Sequence, residues 1–219
     1  MNAIRKRVLS KLNYIEPELL RRSVMPTVVK ILQKHESVKH LTGQKRTEYL
    51  EKHHAACLAI MIGQMIGPCG EVTVCVREDE DFDCVLRSIE DGGKTVYRPF
   101  QLKQLPSHKF NQYAQIQVEI DKLKKYGTNL AVSFWINRDL TIEFQKLKFT
   151  ELNIQQLWFL GGSSVGETLL HGGTIAQLKS GVCWEGILKG RKSEIRRRSF
   201  TPCQESKLIP DDSSLRKRQ

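Results

Sequence analysis

The sequence predicts an α/β fold with a mixed central β-sheet flanked by helices, in the order helix, strand, strand, strand, helix, strand. Three observations predict it. Gln44–Met65 carries apolar residues at helical spacing. Glu71–Arg77 (EVTVCVR), Asp81–Ile89 and Lys94–Leu105 alternate or are rich in β-branched residues, and a Glu-Asp-Gly-Gly turn joins the last two. Asn129–Ile136 (NLAVSFWI) is a nearly continuous apolar run, typical of a strand covered on both faces.

Before this core, Ile4, Val8, Leu12, Ile15 and Leu19 recur at near-helical spacing among basic residues, which predicts a basic amphipathic helix interrupted near Pro17. Pro26 is expected to open a second helix. Residues 1–43 thus form a basic helical extension, and 44–160 the core. Within the core, Lys109–Tyr126 reads as a helix with Tyr113, Ile116, Ile120 and Leu123 as its buried stripe, and Gly127 as its C-cap. Leu140–Phe149 reads as a further strand. Residues 161–219 read as Gly-containing loops around a short helical stretch at Val165–Leu170, then a basic tail expected to be partly disordered.

Composition narrows the function. The 219 residues include 35 Lys and Arg against 24 Asp and Glu, a formal charge of +11. Such an excess suits a polyanionic partner, most simply nucleic acid. No apolar run reaches the roughly 20 residues a bilayer needs, and no apolar segment of signal-peptide type follows Arg5, Lys6 and Arg7, so neither a membrane partner nor secretion is expected. Six cysteines form no CxxC pair and no His spacing completes a zinc site. They read as reduced thiols, and the expected location is cytoplasmic, or nuclear in a eukaryotic or viral setting. His53, His54 and His108 read as surface or structural residues, and the Gly pairs near 161 and 172 lack the Gly-Lys-[Ser/Thr] of a phosphate loop.

Polar groups on core strands point to chemistry. Gln101 and Lys103 share one face of their strand because strand side chains alternate with period two. Asp83, on the hairpin partner, can lie on the same face. Glu51 extends the inward stripe of Ala55, Leu58, Ile62 and Met65 back by one turn. A helix packed on the Gln101–Lys103 face would deliver Glu51 to Asp83.

An acidic residue on the first helix, an Asp at the start of the second strand and a (Glu/Gln)-x-Lys on the third resemble the PD-(D/E)xK nuclease superfamily, here as its Gln-x-Lys variant. The matching positions are Glu51, Asp83, Gln101 and Lys103, within about Gln44 to Ile136. The resemblance implies a restriction-endonuclease-like core and a metal-dependent endonuclease hydrolysing phosphodiester bonds in DNA. It implies Mg²⁺, or Mn²⁺ in its place, bound by Glu51, Asp83 and Gln101, with help from the Leu102 carbonyl, and Lys103 acting on the attacking water. Gln104 and the polar positions Gln112, Gln115 and Glu119 would position substrate. Arg191, Lys192, Arg196, Arg197 and Arg198 are expected to bind nucleic acid, and a homodimer or larger complex is compatible with this reading. Gln101 stands where an acid is commoner, which removes a negative charge. The alternative is therefore a non-catalytic nucleic-acid-binding protein on the same fold; an interaction protein that uses its basic tail for localisation is a third.

Overall fold

A computed structural model describes residues 3–67, 71–77, 82–105, 115–127, 130–136, 142–162, 167–189 and 192–202. The helices are α1 (Ala3–Leu9), α2 (Pro17–Leu32), α3 (Gly43–Ile66), α4 (Ile116–Asp121) and α5 (Ile175–Lys179). The strands are β1 (Glu71–Val76), β2 (Cys84–Glu90), β3 (Lys94–Leu105), β4 (Ala131–Ile136), β5 (Gln156–Gly162), β6 (Thr168–Thr174), β7 (Val182–Lys189) and β8 (Lys192–Ser199).

All eight strands join one mixed sheet in chain order. β1, β2 and β3 pair antiparallel, β3, β4 and β5 parallel, and β5 through β8 antiparallel again. Among the first five strands, β2 alone therefore runs against the rest. Parallel neighbours need a crossover; α4 lies in the one from β3 to β4. The predicted order of helix, three strands, helix and strand is present, and the sheet continues past it through β8. β4 first pairs with β3 at Phe100, so Pro99, which has no N–H to donate, has a strand only on its β2 side.

The helix α3 is unlike an ordinary surface helix, which buries one stripe. Residues 53–59 are buried without interruption, and so are Met61 and Ile62. Ala55, Ala56, Cys57 and Ala59 are small enough for neighbours to approach on every side. α2 covers one side through Leu20, Val24 and Val28. Strands β1–β3 and β6–β8 both touch α3, so the sheet curls around it. At its β7 contact, a Cβ on Gly186 would lie 2.6 Å from Met61 Cε. The opposite face of the sheet carries a second core of Val132, Phe134, Leu157 and Phe159 under Ile120, Leu123, Phe144 and Phe149. A third, smaller cluster sets Leu9 of α1 on Phe82 and Val85.

Several expectations are corrected. α2 starts at Pro17, where Glu16 accepts from the Glu18 and Leu19 amides, and it runs through Pro26 instead of starting there. Burial of Val24 and Val28 on either side holds it to α3 despite the missing N–H. Residues 142–149 form no strand but a 3₁₀ turn at Phe144–Lys146, which drops Phe144 and Phe149 onto the second core. The stretch read as helical at 165–170 enters strand β6 at Thr168; residues 163–166 lie outside the described residues. The predicted helix over 109–126 is seen from Ile116 as α4 and a 3₁₀ turn at Lys122–Lys125, its earlier part lying outside the described residues.

Of the two readings for His53 and His54, surface or structural, the structure gives the structural one: both are buried in the core. His54 Nε2 lies 2.8 Å from Ser133 Oγ, His53 Nε2 lies 3.6 Å from Cys57 Sγ, and both rings meet Trp135 edge-on. Because α3 is covered all round, adjacent positions on different faces are both buried. His108 lies outside the described residues.

Two predictions follow from this packing. Burial, reinforced by the Arg21 charge, lowers the His53 pKa to about 4; burial and the His53 charge lower that of His54 to about 3. In the unfolded chain both take up protons near pH 6.5. The unfolded chain therefore binds more protons below pH 6.5, and stability falls as pH drops from there toward 4 and 3. Urea melts between pH 7 and 4.5 should show a loss approaching about 1.4 kcal/mol per pH unit for each histidine, shallower in a His54→Gln variant. At Gly172 (φ +152°) a Cβ would sit 2.2 Å from the Leu157 carbonyl oxygen and 2.8 Å from Trp158 Cα. Gly172→Ala should cost about 3 kcal/mol in urea unfolding, while Gly162→Ala, in open space, should change stability by less than about 0.5 kcal/mol.

Candidate functional site

Asp83 stands one residue before β2 and is tied to both neighbouring strands. The Arg77 amide donates to its carbonyl oxygen at 3.0 Å, and its own amide donates to the Phe100 carbonyl at 2.9 Å. Its carboxylate oxygen Oδ2 accepts from the Leu102 amide at 2.6 Å. A charged acceptor makes this the strong kind of hydrogen bond, and it fixes the carboxylate against the centre of the Gln101-Leu102-Lys103 segment.

Alternation along β3 sends Phe100 and Leu102 into the α3 core. Gln101 and Lys103 therefore point to the other face, level with Val132 and Phe134 of β4. On β2, Cys84 and Leu86 enter the α3 core, so Asp83 alternates to the face of Gln101 and Lys103. The structure thus places Asp83, Gln101 and Lys103 on one face, as the sequence led us to expect. Gln101 and Lys103 are half-buried, and the Gln101 Oε1 atom itself is buried.

Glu51 arrives differently. The expectation that α3 packs on the Gln101–Lys103 face is corrected: α3 packs on the Phe100–Leu102 face. The reason is the apolar content of the strands, since Phe100, Leu102, Ala131 and Leu86 supply the surface that α3 needs. Half-buried Glu51 precedes the buried run of α3 and so stands on that side of the sheet. Burial holds the Cys84 thiol well above its usual range, and the charges of Asp83, Cys75 and Glu51 push it the same way. Both carboxylates are thus within electrostatic reach of one buried side chain, from opposite sides of the sheet. Glu48, one turn earlier, is engaged by Lys45 and Lys52, whose hydrogen bonds hold its pKa at about 2.

The donor atoms are of the type a hard divalent cation takes, namely carboxylate, amide and backbone oxygens. Of the Asp83 carboxylate oxygens, Oδ2 serves the Leu102 amide. In donor type the residues fit Mg²⁺ or Mn²⁺. Among the described residues no group of three or more His, Cys, Asp or Glu side chains gathers as a metal cluster, so Gln101 and backbone oxygen would complete the set. The acidic positions 78–81 lie outside the described residues. Gln104 faces α3, lining a small cavity with Leu50, His53 and Trp135, and so is on the far side from Gln101. Gln115 caps α4, Glu119 pairs with Lys122, and Gln112 lies outside the described residues.

The basic positions form a strand where a tail was expected. Arg196, Arg197 and Arg198 lie on β8, the last strand of the sheet; Arg191 and the side chain of Lys192 lie outside the described residues. Arg196 and Arg198 both bind Glu185 of β7: Arg196 Nη2 to Oε2 at 3.2 Å and Arg198 Nη1 to Oε1 at 2.7 Å. Burial raises the Glu185 carboxyl, but Arg198, His171 and Arg196 outweigh it and leave the pKa below the usual value. Arg197 points to the other face, opposite Trp184. Sequence reasoning missed Glu185 and His171. The available signal was a single acid in the apolar strand CWEGIL.

Compared with protein-family models, with curated proteins and with solved structures, the chain matches none. No helix among the described residues is long and apolar enough to cross a membrane.

The Asp83–Leu102 bond gives a direct test of how the site is held. Asp83→Ala removes the acceptor and should cost about 1–3 kcal/mol in urea unfolding. Asp83→Asn retains an oxygen acceptor and should lie within about 1 kcal/mol of the parent.

Proposed function

We propose that this chain is a metal-dependent endonuclease that hydrolyses phosphodiester bonds in DNA, on a restriction-endonuclease-like core. One observation carries the reading: Asp83 at the start of the second strand, and Gln101 and Lys103 on the third, share one face within the helix–strand–strand–strand–helix–strand order. The mixed central sheet, with β2 antiparallel to β1 and β3 and with β3, β4 and β5 parallel, agrees with the mixed sheet that the resemblance implies. The charge of +11 supports the same reading, since phosphate neutralisation dominates DNA affinity.

Asp83 and Gln101, through Oε1, would hold Mg²⁺ or Mn²⁺ on the face they share; Glu51, on the α3 side of the sheet, is left out of that ligand set. When bound, such an ion supplies an activated water and offsets charge on the phosphoryl oxygens. The remaining work falls to the chain itself. Asp83 is held in place by Leu102, so its second oxygen has a defined direction. Lys103, two residues beyond Gln101 on the same face, orients the attacking water and stabilises the charge that builds on the phosphoryl group. The water oxygen bonds to phosphorus and gives up a proton to solvent, the ester P–O bond breaks, and the leaving oxygen takes up a proton from solvent.

The non-catalytic alternative, nucleic-acid binding on the same fold, is favoured by one feature, the uncharged Gln101 beside Asp83. Incubation of the chain with duplex, single-stranded and junction DNA and with RNA, in Mg²⁺, Mn²⁺ or EDTA, separates the two. The endonuclease reading expects cleavage of DNA in Mg²⁺ and none in EDTA, with Asp83→Asn and Lys103→Ala each slowing it at least about 100-fold. Full activity in both variants would sink it. Salt-sensitive binding without cleavage under any divalent metal would select the alternative.

A further inference from the structure

The pairing registers draw a line across the sheet. Lys103 is level with Phe134, Phe134 with Phe159, Phe159 with His171, His171 with Glu185, and Glu185 with Arg196. Paired residues share a face, so Lys103 and the Glu185–arginine cluster lie in one row on one side of the sheet. The row spans five strand spacings, about 24 Å along the sheet. Its middle is roofed by Phe144, which packs on Phe159 and reaches His171.

At the far end of the row are two cavities. One, of ≈ 510 Å³, is lined by His171, Glu185, Ile187, Arg196 and Arg198, with Glu194 among its charged residues. The other, of ≈ 240 Å³, is lined by Phe144, Cys183, Glu185, Arg198 and Phe200. Glu185 and Arg198 belong to both. Glu185 is 9% exposed, while the Arg196 and Arg198 side chains are 80% and 64% exposed. A buried carboxylate therefore aims two solvent-facing guanidinium forks. Arg196 uses Nε and Nη2 on Glu185, leaving Nη1; Arg198 uses Nη1, leaving Nε and Nη2. Beside these forks stand the His171 and Phe200 rings, both partly exposed, and the His171 Nδ1 atom is buried with no hydrogen-bond partner, 3.7 Å from Glu185 Oε1.

Guanidinium forks for phosphates beside rings for bases make up the chemistry of a single-strand site. A duplex keeps its bases stacked inside and can use only the forks. We propose that this groove is a second subsite that binds an unpaired strand of the substrate, its phosphates on Arg196 and Arg198 and a base against His171 or Phe200. Glu185 is the positioning residue. The inference rests on the endonuclease reading and adds the form of its substrate: DNA with a single-stranded stretch lying within about 24 Å of the scissile bond.

The test is fluorescence anisotropy of the full chain in EDTA, with a single-stranded 20-mer, a blunt duplex and a duplex with a single-stranded overhang. The single strand and the overhang should bind at least about 10-fold more tightly than the blunt duplex. Arg196→Ala with Arg198→Ala should erase that preference and lower the salt slope on the single strand by about 1.4. His171→Ala should weaken single-strand binding without changing the slope. Glu185→Gln is the decisive variant. It adds positive charge, so unspecific attraction predicts tighter binding, whereas loss of the aimed forks predicts weaker binding. Tighter binding by Glu185→Gln, or no effect of the double arginine variant, overturns the subsite and leaves the endonuclease reading in place if the chain cleaves DNA in Mg²⁺. A chain that neither binds nor cleaves any of the three DNAs overturns both.

Discussion

The structure depends on one helix being buried on every side. An α-helix in a two-layer fold ordinarily leaves a polar face to water. From His53 to Ala59, α3 has none. Its small residues let α2 and the curled sheet close on it together, and its two histidines are neutral there because burial opposes their charge. That enclosure sets the shape of the sheet, which reaches α3 with strands from both ends. Gly186 marks how tight the fit is, since a single Cβ would meet Met61 and Ile195.

Enclosing α3 also decides where polar chemistry can sit. The face of β2–β4 turned to α3 is given over to Cys84, Leu86, Phe100, Leu102 and Ala131. Polar side chains alternate to the other face, where Asp83 stands just before β2 and Gln101 and Lys103 stand on β3. Farther along, the same face is sealed by Phe134, Phe159 and Phe144, and it opens again at Glu185 and its arginines. One face thus carries two polar stretches separated by an apolar roof. Both are built alike: the Asp83 carboxylate is pinned by the Leu102 amide, and the Glu185 carboxylate is pinned by two guanidinium groups.

Much of the first polar stretch was legible from residue order. Period-two alternation places Gln101 with Lys103 whatever the sheet does around them, and the Gly92-Gly93 turn brings Asp83 opposite. The second stretch was not. Glu185, Arg196 and Arg198 become neighbours only because β7 and β8 pair in the register Glu185↔Arg196, and read alone the arginines resemble a solvated tail. The strand at Thr168–Thr174 was hidden for a related reason: its Gly172-Gly173 pair suggests a loop, while the φ of +152° at Gly172 serves a close approach to the Leu157 carbonyl.

By itself the sequence determined the helix and strand order of the core, the bounds of β3, and the shared face of Asp83, Gln101 and Lys103, because these follow from local periodicity and turn chemistry. Tertiary structure alone decided on which side α3 packs, and so on which side of the sheet Glu51 stands. It also decided that His53 and His54 are buried, that Pro26 stays within a helix, and that the basic residues after Gly190 close the sheet as its last strand. Each of these depends on which distant surfaces meet. Periodicity states that a segment has an apolar face; it does not state what that face will touch.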